Sequence, residues 1–291
     1  MALIFFVLFP ASLYPSLPLT ETVSTLPEGD VELLLSGQII ELDRTCRREN
    51  LGLGLGILPS FSLWYTFQYL HEGLQSGDHD LGDSFLRLWF YVGDFWGDRG
   101  HVGLSFTFRI PTGSSAYDNP KWRNLAFGND EFKLGAVMKF DLNPVYLHTN
   151  LFYVMRESSG EDFYNGFYLN PMRKKTYQKG LGFNPASSET FLSKDRLKND
   201  HAVFALGINT DYYYPFVPYL ELYASHRVYR RMDENDHLPI EGAGVNPVLL
   251  GCGCRYFFTQ NNYGEIYGIY NPVQDKDYVG SIIGLGAGFQ F

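Results

Sequence analysis

From residue 30 onward, apolar and polar side chains exchange places with a period of two, the signature of strands with one apolar and one polar face. Residues 101–110 are the plainest case. Val102, Leu104, Phe106, Phe108 and Ile110 fall on one face; His101, Gly103, Ser105, Thr107 and Arg109 fall on the other. Residues 51–57 alternate Leu51, Leu53, Leu55 and Ile57 with Gly52, Gly54 and Gly56. Residues 61–69 set Phe61, Leu63, Tyr65, Phe67 and Tyr69 against Ser62, Trp64, Thr66 and Gln68. In 132–141, Phe132, Leu134, Ala136, Met138 and Phe140 oppose Lys133, Gly135, Lys139 and Asp141. The chain ends on Ile283, Leu285, Ala287, Phe289 and Phe291 alternating with Gly284, Gly286, Gly288 and Gln290. Weaker alternation marks 31–40, 84–92, 145–156, 201–211, 216–230, 247–258 and 263–270, which makes twelve strands, or ten without 31–40 and 263–270.

The links between these segments alternate in length. Short links fall at Leu58-Pro59-Ser60, Trp96-Gly97-Asp98-Arg99, Asn143-Pro144, Tyr214-Pro215 and Gln260-Asn261-Asn262. Between them lie the longer links 71–82, 111–131, 157–200, 231–246 and 271–279. Membrane barrels have short turns on one side and long loops on the other, and an even strand number puts both termini on the short-turn side. A soluble sandwich also alternates along each strand but gives no reason for alternating links. Nor does it explain aromatics crowding the strand ends at Tyr65–Tyr69, Trp89–Tyr91 and Tyr212–Phe216, which read as interfacial girdles. The sequence therefore predicts an all-β fold, a closed antiparallel transmembrane β-barrel of about twelve strands.

Composition sharpens this picture. The chain is 45% hydrophobic, but beyond its N-terminus it has no apolar run of the roughly 18 residues that a spanning helix needs. Aromatics make up 17% and there are 30 glycines, which suits many short strands. The net charge of −9 offers no basic stripe to nucleic acid, so no such partner is expected. Cys46 stands alone. Cys252 and Cys254 would point to the same face of a strand about 7 Å apart, too far for an easy disulfide. Residues 1–20 read as a secretory leader that lacks a basic start, and Pro10, Pro15 and Pro18 argue against a spanning anchor. That leaves 28–291 for the barrel, in the outer membrane of a diderm bacterium and in contact with its lipid.

The stretch Ile283–Phe291, alternating and ending on an aromatic, resembles the assembly signal of Gram-negative outer-membrane proteins. The resemblance implies recognition of Phe289 and Phe291 by the barrel-assembly machinery. A second resemblance covers residues 50–113. Leu81-Gly82-Asp83-Ser84-Phe85-Leu86-Arg87, followed one hairpin later by Ile110-Pro111-Thr112-Gly113, is similar to transporter barrels grouped with phenol meta-pathway proteins. It implies a barrel and transport, without naming a cargo.

If the apolar faces meet lipid, the other faces line the lumen. The expected pore-lining set is Arg87, His101, Arg109, Lys133, Lys139, His148, Arg156, Glu221, Arg227, Arg255 and Glu265, with Glu32, Asp141 and Asn150 beside them. Such groups must pair or meet water. The alternatives are a wet pore with a mild preference for anions and a ladder of salt bridges closing a narrow barrel. The inner glycines leave open space in the first reading and tight curvature in the second. Catalysis finds little support, and no enzyme activity is expected. Ser225 and His226 are neighbours on a strand and face opposite ways, and no serine accompanies His148 and Asn150. His71, His79 and Asp80 sit in a predicted loop where solvation is the ordinary fate, so neither a metal nor another cofactor is expected. Residues 157–200 form a loop long enough to narrow a pore or to bind an outside partner. The reading is a porin-like channel for diffusion or facilitated uptake of small polar or amphipathic solutes. The alternative is a surface-exposed adhesin-type barrel with a closed lumen, acting through its outer loops.

Overall fold

The computed structural model describes residues 19–23, 25–41, 45–72, 79–110, 112, 131–156, 201–227, 248–272 and 281–291, and its regular elements are strands throughout. The first half comprises β1 (Val31–Glu41), β2 (Thr45–Leu58), β3 (Phe61–Glu72), β4 (His79–Leu81), β5 (Ser84–Phe95), β6 (Gly100–Ile110) and β7 (Glu131–Asp141). The second half comprises β8 (Val145–Arg156), β9 (His201–Thr210), β10 (Phe216–Arg227), β11 (Val248–Phe257), β12 (Asn262–Tyr270) and β13 (Ser281–Gln290). Neighbours in sequence pair antiparallel, and β13 returns to β1, with Glu32 opposite Gln290 and Glu41 opposite Ser281. The ring is closed, so each strand except the three-residue β4 has two hydrogen-bonded neighbours, the condition for backbone to cross hydrocarbon. β4 and β5 both pair with β3 and together make one stave interrupted at Gly82-Asp83, so the barrel has twelve staves. The ladder does not lapse at the interruption, because the Gly82 amide donates to the Gln68 carbonyl at 2.9 Å.

The strands stand where alternation places them, including the two weakest, 31–40 and 263–270. The differences lie on the long-link side. β2 begins at Thr45, well before Leu51, and His79–Leu81 pairs with Tyr69–His71 inside the predicted link. Charged residues such as Arg47 and Glu49, both more than 40% exposed, occupy these extensions. Backbone pairing continues beyond the apolar belt there, and no apolar alternation marks it.

The polarity of the molecule is inverted relative to a water-soluble protein. Leu53, Ile266 and Leu285 are 46%, 57% and 61% exposed, while Lys139 and Arg255 are 2% and 1% exposed. An apolar belt outside and charges inside is the arrangement for a lipid surround. Tyr212, Tyr213, Tyr214 and Phe216 ring the short-turn end as expected, all exposed. Trp89 does not belong to a girdle. It shares the inward face of Arg87 and is 3% exposed, because strand parity outranks position along the strand.

The inner glycines hold rings. A Cβ on Gly54 would lie 2.4 Å from the Trp64 ring, directly across the ladder. Gly284 and Gly288 receive Tyr267 and Tyr263 in the same way, and Gly253 receives Tyr219. Each ring lies against a wall from which its cross-strand partner has removed the side chain. Gly54, Gly284 and Gly288 are thus covered by aromatic rings, whereas Gly52 and Gly286 border open space inside the barrel.

Candidate functional site

The lumen contains a segment of the chain itself. Leading into β1, residues 19–23 and 25–26 run inside the barrel, with Thr20, Glu21, Thr22, Val23 and Leu26 all buried. The Leu19 and Thr20 amides donate to Glu221 Oε1 at 3.0 and 2.7 Å, and the Thr20 hydroxyl bonds the same oxygen. Asn150 grips Glu21 twice: its Oδ1 accepts from the Glu21 amide at 2.7 Å and its Nδ2 donates to the Glu21 carbonyl at 2.8 Å. Lower down, the Leu26 amide donates to Ser62 Oγ at 2.8 Å and the Thr25 hydroxyl to the Pro59 carbonyl at 2.8 Å. Val23 packs on an inward apolar cluster of Trp89, Val137, Phe152, Val154 and Val203, and Leu19 packs on another around Tyr219 and Tyr267. The segment leaves past Gly56, where a Cβ would come within 1.8 Å of the Pro27 carbonyl oxygen, so only glycine admits it there.

Glu21 is the electrostatic centre of this contact. Lys133 Nζ lies 2.5 Å and Arg87 Nε 3.6 Å from its Oε1. Burial pushes the carboxyl up, but Arg87 and Lys133 outweigh it and hold it at about 2, against an ordinary 4.5. The anion stays charged in the lumen because two cations and a hydroxyl face it.

The other lumen charges are paired with one another along the wall. Near the long-link end, Arg109 donates to Asp83 at 2.5 and 2.6 Å, approaches Glu131 at 3.8 Å and lies over the Phe85 ring. Near the short turns, Lys139 meets Asp141 at 2.9 Å, and His101 bridges Asp141 and Asp94. Arg255 meets Glu265 at 2.7 Å between the Tyr219 and Tyr263 rings. His148, fully buried, contacts Asn209 through Nε2 at 2.7 Å.

Of the sequence-predicted set, Arg87, His101, Arg109, Lys133, Lys139, His148, Glu221, Arg255 and Glu265 all turn inward. Arg156 and Arg227 stand on β8 and β10, opposite Glu131 and His201, with side chains outside the described residues. Phe289 is opposite Leu33 and Asn262, while Phe291 exchanges two backbone hydrogen bonds with Val31 and leaves its ring exposed. Cys252 and Cys254 are on the outer, lipid-facing side of β11. The loop 157–200 lies outside the described residues. His71 and His79 stand 6.4 Å apart by ring centroid, and among the described residues no cluster of three potential ligands could hold a metal. Sequence reasoning missed Asp83, Glu131 and the whole of 19–27. Extending strand parity outward from Arg87 and Lys133 finds the first two. The last had no signal, because residues 19 and 20 read as the end of the leader.

A closed twelve-stave barrel with a lipid-facing belt and an ion-paired lumen is an outer-membrane β-barrel. No family model matches the chain, and no curated protein is significantly similar to it. Its fold is similar to that of a solved NanC porin, at 10% identity and a TM-score of 0.52, covering 88% of this chain and 98% of that one. A KdgM porin in complex with disordered oligogalacturonate follows at 8% identity, TM-score 0.49, with 90% and 99% covered. The outer membrane phospholipase A from Escherichia coli aligns at 10% identity, TM-score 0.43, with 92% of each chain covered.

Proposed function

We propose that this barrel is a porin-like channel that admits small polar solutes across an outer membrane, narrowed by its own residues 19–23 and 25–26. The carrying observation is a cavity of about 370 Å³ that remains inside the barrel between that segment and the wall of β1, β2, β3, β5, β12 and β13. A barrel closed by a salt-bridge ladder would leave no such polar space. The barrel of the NanC porin, similar in fold, is named for that activity and supports the reading. The ion pairs around Arg109, Lys139 and Arg255 cancel most of the charge that alternation assigned to the lumen. Size and hydrogen bonding therefore select the solute more than the mild anion preference expected from the cation count. No group of the lumen is assigned a catalytic role, and Ser225 and His226 face opposite sides of β10.

The resident segment favours a second reading, in which the lumen is shut and the long loops act at the surface. Planar-bilayer recording on the folded chain, with and without residues 20–26, decides between them. Channel steps from the full chain that enlarge on deletion support a narrowed channel. A full chain that is silent and a deletion that conducts make the segment a closed plug. Silence from both, in protein that is folded and heat-modifiable, overturns the channel and moves the function to the loops. Removing 160–195 then abolishes binding to an outside partner without any effect on conductance.

A further inference from the structure

The cavity beside the segment has a chemistry of its own. Members of two ion pairs, Arg87 and Glu265, stand in its lining, and the rest of the wall carries amides, hydroxyls and rings. Asn50 and Gln68 face it from β2 and β3, Trp64 presents its ring, and Glu32 from β1 and Glu265 from β12 add carboxylates. Arg87 is the cation among its described lining residues, and Glu21 already faces that guanidinium at 3.6 Å. The Trp64 ring is held flat over Gly54, so one ring face is turned to the interior. Asn50 and Gln68 bring their amides to this wall, and the Asn50 amide nitrogen also donates to Ser36 Oγ at 2.8 Å. A volume of about 370 Å³ stands at the small end of the range for small-molecule sites.

We infer that this chamber is a binding site for an uncharged, polyhydroxylated solute of mono- or disaccharide size. Hydroxyl groups exchange hydrogen bonds with the amides of Asn50 and Gln68 and donate to Glu32 and Glu265. The C–H face of the same molecule lies on the Trp64 ring, where burial of apolar area and weak C–H contacts with the ring hold it. An anion of the same size meets the Glu32 carboxylate and a guanidinium already matched by Glu21, so it binds less well. The inference deepens the channel reading and rests on it, since a solute reaches the chamber through the lumen.

The test uses the folded full chain in detergent, with sucrose as the neutral probe and glucuronate as the charged one. Binding is followed by the saturable change in intrinsic tryptophan fluorescence. Sucrose is expected to saturate, and glucuronate to need about tenfold higher concentration or more. Gln68→Leu and Asn50→Leu each weaken sucrose binding by about tenfold, the scale of one hydrogen bond lost to a buried partner. Gly268→Ala, on the outer face, leaves it unchanged. No saturable response to sucrose in folded wild-type protein, equal affinity for glucuronate, or indifference to both leucine variants overturns the site. Bilayer conductance of the same preparation keeps the two readings apart. Sucrose binding without conductance sinks the channel and keeps the chamber, whereas conductance without sucrose binding sinks the chamber alone.

Discussion

The Glu21 carboxylate lies 2.5 Å from the Lys133 ammonium, which ties a segment outside the barrel strands to the inner face of β7. The carboxyl is held at about 2, below its ordinary 4.5, so its contribution to holding the segment is fully present above about pH 4.5. It is lost as pH falls through about 2. Protonation leaves Lys133 and Arg87 without their counter-charge, a change on the order of 3 kcal/mol. Conductance in planar bilayers is therefore expected to rise as pH falls from about 4.5 toward 2, as the Glu21 contact is lost and the segment loosens. Glu21→Gln should conduct at neutral pH as the wild type does in acid. A pH-independent conductance that Glu21→Gln also leaves unchanged rules out this contact as the constraint on the segment.

Gly54 and Trp64 predict a stability difference that tests the ring seats. An alanine at 54 places its Cβ 2.4 Å from the indole, which must then leave the wall. The expected cost is about 1–3 kcal/mol, the usual penalty for overpacking a site whose neighbours cannot yield. Gly268 is the control, since a Cβ there meets nothing nearer than the Ile282 carbonyl at 4.0 Å. Urea unfolding in lipid vesicles should therefore separate Gly54→Ala from Gly268→Ala. Equal stabilities show that the ring moves aside freely and that the glycine is not needed for it.

Most of the barrel was legible because a membrane strand carries its environment in every second residue. His101 through Ile110 gave both faces of β6, and the alternating link lengths gave the topology. The ends of the strands were harder. Thr45–Glu49 and His79–Leu81 pair through their backbones beyond the apolar belt, where nothing selects side chains by period. Trp89 shows that parity is the better guide when an aromatic could serve either a girdle or the lumen. The segment 19–27 was illegible for a different reason. Its contacts reach from Leu19 and Thr20 to Glu221, and from Glu21 to Asn150, Lys133 and Arg87, all distant in sequence, while Thr-Glu-Thr on its own reads as solvated chain. Nor could alternation say which lumen charges neutralise one another, because Arg109 with Asp83 and Arg255 with Glu265 are cross-strand relationships.

Arg109 illustrates what that pairing does to selectivity. Its guanidinium is 8% exposed and is engaged by Asp83, which is fully buried, and by Glu131. Arg109→Gln strands a buried carboxylate, and breaking such a pair from one side costs about 3–5 kcal/mol. The variant should unfold at markedly lower urea in vesicles, while the anion-to-cation permeability ratio of molecules that do fold changes little. A large loss of anion preference with stability intact would instead make Arg109 a field-setting residue of an open pore.

The outer face supplies the last test, because it asks whether the belt meets hydrocarbon at all. Ile266 on β12 and Leu285 on β13 are opposite each other across the ladder and are both more than half exposed. Leu142, also exposed at 48%, sits in the turn between β7 and β8 instead. In lipid the cost of an arginine depends on depth, about 2–4 kcal/mol at the midplane and about 0–1 near the interface. Leu285→Arg and Ile266→Arg should therefore be strongly destabilising in vesicles, and Leu142→Arg nearly neutral. In water the three positions are equivalent exposed sites, where arginine is tolerated. The depth gradient read by urea unfolding thus separates a membrane barrel from a soluble one. Three equal, small effects would mean that the apolar belt faces something other than a bilayer.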